Sequence, residues 1–213
     1  MKKELISDSG TKKKTIAVLT SGGDAPGMNG AIRAVTRAGL SAGYNVLGVR
    51  RGFHGLWRGD IVNLDSRSVS DVLHRGGTFL MTARSETFKT EEGLQKAVDI
   101  CEIFNIDIVV AIGGDGTARG AKSLSEKNIP VIVIPATIDN DIAATEYALG
   151  YDTALNTALQ AIDKLRDTAS SHERCSVVEV MGRHSGYIAL SVGVASGAEV
   201  ILVPEEEFDF DDD

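Results

Sequence analysis

The order of apolar and polar residues predicts strands that alternate with helices. Residues 15–20, 106–112 and 131–134 are short runs of aliphatic and β-branched residues, as expected for buried strands. Residues 28–41 carry apolar side chains near helical spacing and follow a glycine turn. The other predicted elements of this region are strands at 44–49 and 61–64 and helices at 68–74, 91–104 and 118–126. The alternation is typical of a Rossmann-like, doubly wound parallel α/β sheet, which binds ligands at the carboxyl ends of its strands.

Beyond residue 141 the pattern begins again. A long helix is predicted at 149–168, then a strand at 176–180, a helix at 187–195 and a strand at 200–203. We therefore expect three regions, namely a flexible polar tail at 1–14, an α/β domain at 15–148 and the start of a second α/β domain at 149–213.

Charge is concentrated at one end of the chain. The formal net charge is −8, and residues 205–213 contain seven acids, so −8 + 7 leaves −1 on the remainder. A net charge of −1 on residues 1–204 predicts neither a basic nucleic-acid-binding surface nor a polybasic membrane-binding patch. Hydrophobic residues make up 43% and charged residues 24%, which are ordinary values for a globular protein.

The sequence predicts a cytoplasmic protein. The lysine-rich first fourteen residues are not followed by the apolar h-region of a secretory signal peptide, and no later run approaches the ~20 apolar residues of a membrane span. Cys101 and Cys175 lie outside any C-x-x-C spacing, so we expect two buried, reduced thiols. The four histidines show no metal-ligand spacing and are predicted not to bind metal: His54, His74, His172 and His184.

Three polar loops follow predicted strands, at 20–27, 113–117 and 137–141. Glycines let the main chain approach a phosphate closely, and N–H groups at a helix start favour an anion. For the first loop alone, an ordinary strand-to-helix turn is an equal alternative. This loop lacks the G-K-[ST] ending of the P-loop, which argues against that class.

Aspartates give the other two loops their chemistry. Asp115 lies between glycines, where a carboxylate can hold an Mg²⁺ ion that bridges nucleotide phosphates, although a helix-capping role is the alternative. Asp139 and Asp141 are two residues apart, so in extended backbone both point to one side. Because neighbouring carboxylates repel, this spacing favours a shared task with a metal or a proton.

Six motifs together resemble those of bacterial ATP-dependent 6-phosphofructokinases, in the same order and with similar spacing. They are Thr-Ser-Gly-Gly-Asp-Ala-Pro-Gly-Met-Asn at 20–29, Arg-Gly-Gly-Thr at 75–78, Gly-Gly-Asp-Gly-Thr at 113–117, Thr-Ile-Asp-Asn-Asp at 137–141, Ser-Ser-His-Glu-Arg at 170–174 and Met-Gly-Arg at 181–183. The resemblance runs from residue 15 to about residue 208. Gly-Gly-Asp-Gly-Thr alone is weak, since NAD kinases and lipid kinases are similar there, and residues 137–141 disfavour those classes.

The resemblance implies phosphoryl transfer from ATP to the 1-hydroxyl of fructose 6-phosphate, in glycolysis. It implies that Asp139 is the base, that Thr137 holds the transferring phosphoryl group, that Asp141 lies near the metal or positions the base, and that Asp115 binds Mg²⁺. The implied ATP-binding residues are Gly23, Arg84, Ser85, Gly114, Asp115, Gly116 and Thr117. The implied fructose 6-phosphate residues are Thr137, Ile138, Asp139, Arg174, Met181, Gly182 and Arg183, with Arg174 reaching that site across a subunit interface.

The resemblance also implies regulation and assembly. Five positions match family residues that bind a regulatory nucleotide such as ADP, or phosphoenolpyruvate: Arg33, Arg37, Arg166, Gly197 and Glu199. The family is homotetrameric and its chains are longer, so we expect the carboxyl-terminal part of the fold to be absent here. We therefore expect that this chain alone could be inactive.

The phosphoryl donor is predicted from two small residues. Pyrophosphate-dependent relatives usually have an aspartate at the position of Gly116 and a lysine at that of Ala136. Aspartate there would repel the α-phosphate of a nucleotide, so glycine favours ATP. Two positions depart from the ATP-dependent pattern, because Ala136 replaces a glycine and Phe53 replaces a tyrosine near adenine. A pyrophosphate-dependent enzyme and a catalytically silent nucleotide-binding module remain the alternatives.

Overall fold

The structure is a computed structural model that describes residues 13–208. Most of the predicted tail at 1–14 and the last part of the acidic run, 209–213, lie outside the described residues. The chain divides into two compact units. The first unit ends at Ala136, and the second begins at Thr137. The predicted division after residue 148 lies later in the chain than this boundary. The functional labels of the two regions stay predictions.

The first unit is built on a mostly parallel sheet, as predicted. Its strands are β1 (Thr15–Ser21), β2 (Asn45–Val49), β3 (Ile61–Asn63), β4 (Ile108–Gly113) and β5 (Val131–Thr137), the last of which ends at the first residue of the second unit. Their order across the sheet is β3-β2-β1-β4-β5. The pairs β1–β2, β1–β4 and β4–β5 are parallel, whereas β3 runs antiparallel to β2. The two central strands, β1 and β4, are almost wholly buried, which explains their continuous apolar sequences.

Helices cover this sheet. They are α1 (Met28–Ser41), α2 (Gly52–Arg58), α3 (Glu91–Ile103) and α4 (Asp115–Glu126), and a short 3₁₀ helix spans Thr87–Lys89. The sequence pattern does not predict α2, because two of its seven residues are glycine, the weakest helix former after proline. Burial of Phe53 and Leu56 in the main core accounts for this helix.

The second unit contains strand β6 (Leu149–Gly150) and the helices α5 (Tyr151–Ser171) and α6 (Tyr187–Ser196). The helices pack through a small buried cluster of Tyr151, Ile188 and Val192. The predicted strands at 176–180 and 200–203 are wrong, because these described residues form neither helix nor strand. Val177 is 96% exposed, so an apolar, β-branched sequence alone does not make a strand.

Two further predictions are corrected. Residues 66–71 form turns rather than a helix over 68–74, and the Asp65 carboxylate stabilises the first turn by accepting hydrogen bonds from the backbone N–H groups of Arg67 (2.9 Å) and Ser68 (2.7 Å). Asp71 then has a left-handed φ of 59°, which cannot continue a helix. Cys101 is buried as expected, but Cys175 is exposed.

No helix within residues 13–208 is long and apolar enough to cross a membrane.

Candidate active site

The first two polar loops of the first unit are joined by a buried threonine. Ser21 at the end of β1 is in parallel register with Gly113 at the end of β4. Thr117, only 1% exposed, donates its Oγ1 hydrogen to the Ser21 carbonyl oxygen at 3.0 Å. A Cβ on Gly113 would lie 2.3 Å from that same oxygen, so only glycine fits there. Thr117, a predicted ATP residue, thus uses its hydroxyl to hold the two loops together.

Glycines leave the tips of these loops open. A Cβ on Gly23 or Gly116 would meet no atom of the described chain within 4 Å. Gly114 is the extended N-cap of α4, so the first N–H groups of this twelve-residue helix begin at the second loop. Close approach of an anion to these N–H groups is therefore sterically possible.

Asp115 lies in the first turn of α4 and pairs with Arg119, one helical turn later. Both side chains are more than half exposed, so this ion pair contributes little to stability and is open to exchange. The sequence pattern does not predict this role of Arg119, because the predicted helix begins at residue 118, three residues after the start of α4, although Asp115 and Arg119 have i,i+4 spacing.

Asp115 is the predicted ligand of Mg²⁺. No group of three or more histidine, cysteine, aspartate or glutamate side chains among residues 13–208 could hold a metal ion. Mg²⁺ is commonly bound through one or two carboxylates together with substrate phosphates and water. A single exposed carboxylate is compatible with that arrangement, so Asp115 could hold the ion in this way.

The two other predicted ATP residues differ in their surroundings. Ser85 Oγ accepts hydrogen bonds from Trp57 Nε1 and from the backbone N–H of Phe88, both at 3.2 Å. Arg84 is exposed, and no described residue forms an ion pair with it. Phe53, which replaces a tyrosine of the family pattern, is buried and stacks on Phe88 with ring centroids 4.4 Å apart.

Hydrogen bonds order the loop at 137–141, which belongs to the second unit. Thr137 Oγ1 accepts the backbone N–H of Asp139 at 3.2 Å. Asn140 has a left-handed φ of 51°, and its side chain bonds the N–H of Ala148 at 2.8 Å and the carbonyl oxygen of Glu146 at 3.0 Å. The neighbouring Ile138 packs against the cluster of α5 and α6.

The carboxyl group of Asp139 is electrostatically unusual. Burial raises its pKa above the ordinary aspartate value of 3.8, the charge of Asp141 raises it further, and nearby His184 acts in the opposite direction. Ser185, itself buried, donates its Oγ hydrogen to the Asp139 carbonyl oxygen at 2.6 Å. The sequence does not predict these roles of His184 and Ser185, because no local pattern links them to a residue more than forty positions earlier.

Three of the predicted sugar-phosphate residues, Met181, Gly182 and Arg183, lie in a turn before α6, and Arg174 lies shortly after the end of α5. Arg174, Met181 and Arg183 are exposed, and no described residue forms an ion pair with either arginine. Gly182 has φ 128°, and a Cβ there would lie 2.3 Å from the Ser185 carbonyl oxygen. The backbone N–H of Ser185 bonds the Gly182 carbonyl oxygen at 3.4 Å, so this turn and Asp139 share Ser185.

The predicted effector residues are divided between the two units, with Arg33 and Arg37 in the first and Arg166, Gly197 and Glu199 in the second. Arg166 of α5 donates to the carbonyl oxygen of Ser196, directly before Gly197, which ends α6 in a left-handed conformation. In the first unit, Arg33 donates to the carbonyl oxygen of Val69. Arg37 and Glu199 are exposed.

The model of the phosphofructokinase family matches residues 15–212. The chain belongs to the phosphofructokinase family. An ATP-dependent 6-phosphofructokinase of Clostridium tetani is 62% identical over 198 residues, which are 93% of this chain and 62% of that relative. The enzyme of the same name from Clostridium botulinum is 59% identical with the same coverage. The chain thus spans a little under two thirds of the length of these relatives.

Solved phosphofructokinase structures share the fold. The structure of phosphofructokinase from Saccharomyces cerevisiae matches with a TM-score of 0.82 and 38% identity, over 88% of this chain and 28% of that one. A pyrophosphate-dependent phosphofructokinase from Nitrosospira multiformis matches with a TM-score of 0.81 over 92% of this chain and 54% of that one. At 23% identity, the second likeness concerns the fold alone.

Proposed function

We propose that the chain carries the phosphoryl-transfer machinery of an ATP-dependent 6-phosphofructokinase, which converts fructose 6-phosphate and ATP to fructose 1,6-bisphosphate and ADP. The observation that carries the proposal is Asp139, a partly buried carboxyl with a raised pKa in a hydrogen-bonded loop. A general base works best when its pKa is brought towards the working pH, and burial and Asp141 act in that direction.

The first unit supplies the donor-binding residues. The loops around Gly23 and Gly114–Thr117 present main-chain N–H groups to the phosphates, and Arg84 and Ser85 bind the nucleotide. Asp115 holds Mg²⁺, which when bound neutralises charge on the phosphate oxygens. Phosphoryl transfer needs mainly positioning and charge stabilisation, and these groups provide both.

The second unit supplies the acceptor-binding residues. Asp139 accepts the proton of the sugar 1-hydroxyl, while Thr137 orients the transferring phosphoryl group and Asp141 keeps the pKa of Asp139 high. Arg183, with the main chain at Met181, Gly182 and Ile138, binds fructose 6-phosphate, and Arg174 reaches that site across a subunit interface. Arginine suits this task because its planar guanidinium can bind two phosphate oxygens.

ATP is favoured over pyrophosphate as the donor. A Cβ on Gly116 would meet no described atom within 4 Å, so the backbone beside Asp115 is free of any side chain. A nucleotide phosphate can approach such a position, whereas an aspartate there would repel it. The names of the clostridial relatives support the same choice.

The proposal extends to regulation, assembly and location. A regulatory phosphate compound such as ADP or phosphoenolpyruvate would bind Arg33, Arg37, Arg166, Gly197 and Glu199, in a homotetramer as in the family. The buried free thiol of Cys101 supports a cytoplasmic setting.

Two assays test the proposal. Titration of the chain with Mg-ATP, followed by the emission of Trp57, its only tryptophan, should saturate, and pyrophosphate should compete poorly. A chimera in which residues 15–212 replace the matching segment of the Clostridium tetani relative should release ADP only when fructose 6-phosphate is present. ATP binding with no ADP release by the chimera would instead support a silent nucleotide-binding module.

A further inference from the structure

A segment that the proposed function leaves without a role wraps along the first glycine loop. Residues 75–82, which follow the turns at 66–71, lie beside residues 20–29 of β1, the loop and α1. Gly77, with a left-handed φ of 67°, lies beside Asp24, whose Oδ2 would be 3.7 Å from a Cβ on Gly77. We call residues 75–82 the bracing segment.

Asn29, in the first turn of α1, ties down one end of the bracing segment. Its side chain is 2% exposed and uses both ends of its amide. Nδ2 donates to the carbonyl oxygens of Arg75 (3.0 Å) and Gly76 (3.2 Å), and Oδ1 accepts the N–H of Phe79 (2.9 Å). Three hydrogen bonds from one buried side chain fix a stretch of backbone that is otherwise irregular.

Thr20, at the end of β1 and fully buried, ties down the other end. Its Oγ1 lies 3.1 Å from the carbonyl oxygen of Met81 and 2.8 Å from Thr78 Oγ1. Because a hydroxyl has one hydrogen, Thr20 donates to Met81 and accepts from Thr78. Thr82 Oγ1 then donates to the Gly22 carbonyl oxygen at 2.6 Å, which joins the segment to the glycine loop itself.

The bracing segment leads directly into Arg84 and Ser85, the residues assigned above to ATP. Ser85 is the hydrogen-bond acceptor of Trp57 Nε1, so the environment of Trp57 depends on where this part of the chain lies. Displacement of the segment would move Arg84 and Ser85 relative to the glycine loop. Small displacements of positioning groups strongly reduce binding and turnover.

We infer that Asn29 and Thr20 are positioning residues for nucleotide binding, which act by holding the bracing segment against the first glycine loop. Neither residue needs to touch ATP. The inference rests on the proposed function for the identity of the ligand, but the hydrogen bonds themselves are independent of it.

Two substitutions of similar shape test the inference in the chain itself. Asn29→Asp keeps the acceptor for Phe79 but places carboxylate oxygen against two carbonyl oxygens, so the tie to Arg75 and Gly76 should break. Thr20→Val removes the hydroxyl and keeps the shape, whereas Thr20→Ser keeps the hydroxyl. We expect the dissociation constant for Mg-ATP, measured by Trp57 emission, to rise at least tenfold in Asn29→Asp and Thr20→Val, and less than threefold in Thr20→Ser.

Two controls separate positioning from general stability and from charge. Val98→Ala removes buried side-chain volume from the main core, away from these contacts, and should lower the unfolding midpoint without changing ATP affinity. Asn63→Asp adds the same charge at an exposed position of β3 and should also bind ATP normally. If Val98→Ala weakened ATP binding as much as Asn29→Asp, the inference would be overturned.

Hydrogen exchange without nucleotide keeps the test independent of the proposed function. Peptides that cover residues 75–82 should exchange at least tenfold faster in Asn29→Asp or Thr20→Val than in the parent chain, and at the parent rate in Asn63→Asp. Parent-like exchange in both tethering variants would overturn the inference. A parent chain that binds no ATP would instead refute the proposed function, and the exchange result would still decide whether the tether exists.

Discussion

Ser185 donates its side-chain hydrogen to the carbonyl oxygen of Asp139 across 2.6 Å, although 46 positions separate the two residues. The bond joins the loop of the proposed base to the turn that precedes α6. Both residues belong to the second unit, so the base is held within a single compact part of the molecule. The backbone that carries the Asp139 carboxylate is therefore fixed from two sides, by Thr137 and by Ser185.

Removal of that hydroxyl should slow catalysis. In the chimera, Ser185→Ala should lower kcat by roughly tenfold to a hundredfold, because a displaced base costs that much, while ATP affinity stays within about twofold. Ser171→Ala is the matched control, since it removes a serine bond to a carbonyl oxygen on an exposed part of α5. Equal kcat values in the two variants would contradict the role given to Ser185.

The pH dependence of turnover should follow the charges around Asp139. The base acts when ionised, so kcat falls as the pH drops through its pKa. Asp141→Asn removes a negative neighbour and should move this acid limb to lower pH, whereas His184→Gln removes an opposing influence and should move it to higher pH. Complete pH–kcat profiles of the chimera measure both shifts. Shifts of the same sign in the two variants would contradict this electrostatic account.

A carboxylate at position 116 should discriminate against ATP. A Cβ there meets no described atom within 4 Å, and an acid in the first turn of a helix is favourable, so Gly116→Asp should leave the unfolding midpoint nearly unchanged. Its affinity for Mg-ATP should fall at least tenfold, about 1.4 kcal/mol, through repulsion of the phosphates. Gly116→Asn has the same shape without the charge. If Gly116→Asn lost as much affinity for Mg-ATP as Gly116→Asp, charge repulsion would not explain the loss.

The cap of α3 should contribute measurably to stability. Thr90 Oγ1 accepts the N–H of Gly93 at 3.1 Å, one of the helix-start donors that would otherwise lack a partner. Thr90→Ala should lower the free energy of unfolding of the first unit by about 1 kcal/mol, and Thr90→Ser by much less. Denaturant titration followed by Trp57 emission reports this unit. An Ala variant as stable as the Ser variant would show that the cap is unimportant.

The sequence predicted most strands and helices of the first unit because their signals are local. The buried strands β1 and β4 are short apolar runs, and the α3 pattern has apolar residues on one face. The sequence failed where a partner decides the structure. Residues 176–180 are apolar and β-branched, yet they form no strand, and α2 is rich in glycine yet becomes helical where its apolar side chains are buried.

In the candidate site, too, features with a local sequence signal were predicted and features that depend on a distant partner were not. The glycines and aspartates of the three loops were found because each motif is continuous in sequence. The hydrogen bonds that hold those loops were not predicted, since Thr117 bonds Ser21 across 96 positions and Asn29 bonds Arg75 across 46. Such contacts depend on which strands lie side by side, and a single sequence does not state that order.

The most direct test of the central claim is the turnover of the chimera with Asp139→Asn. The substitution keeps the size of the side chain and removes the proton acceptor. We predict that kcat for ADP release with fructose 6-phosphate falls by about 10²–10⁴, the usual contribution of a general base, while the dissociation constant for Mg-ATP changes by less than about twofold. Turnover close to that of the unsubstituted chimera would contradict the assignment of Asp139 as the base.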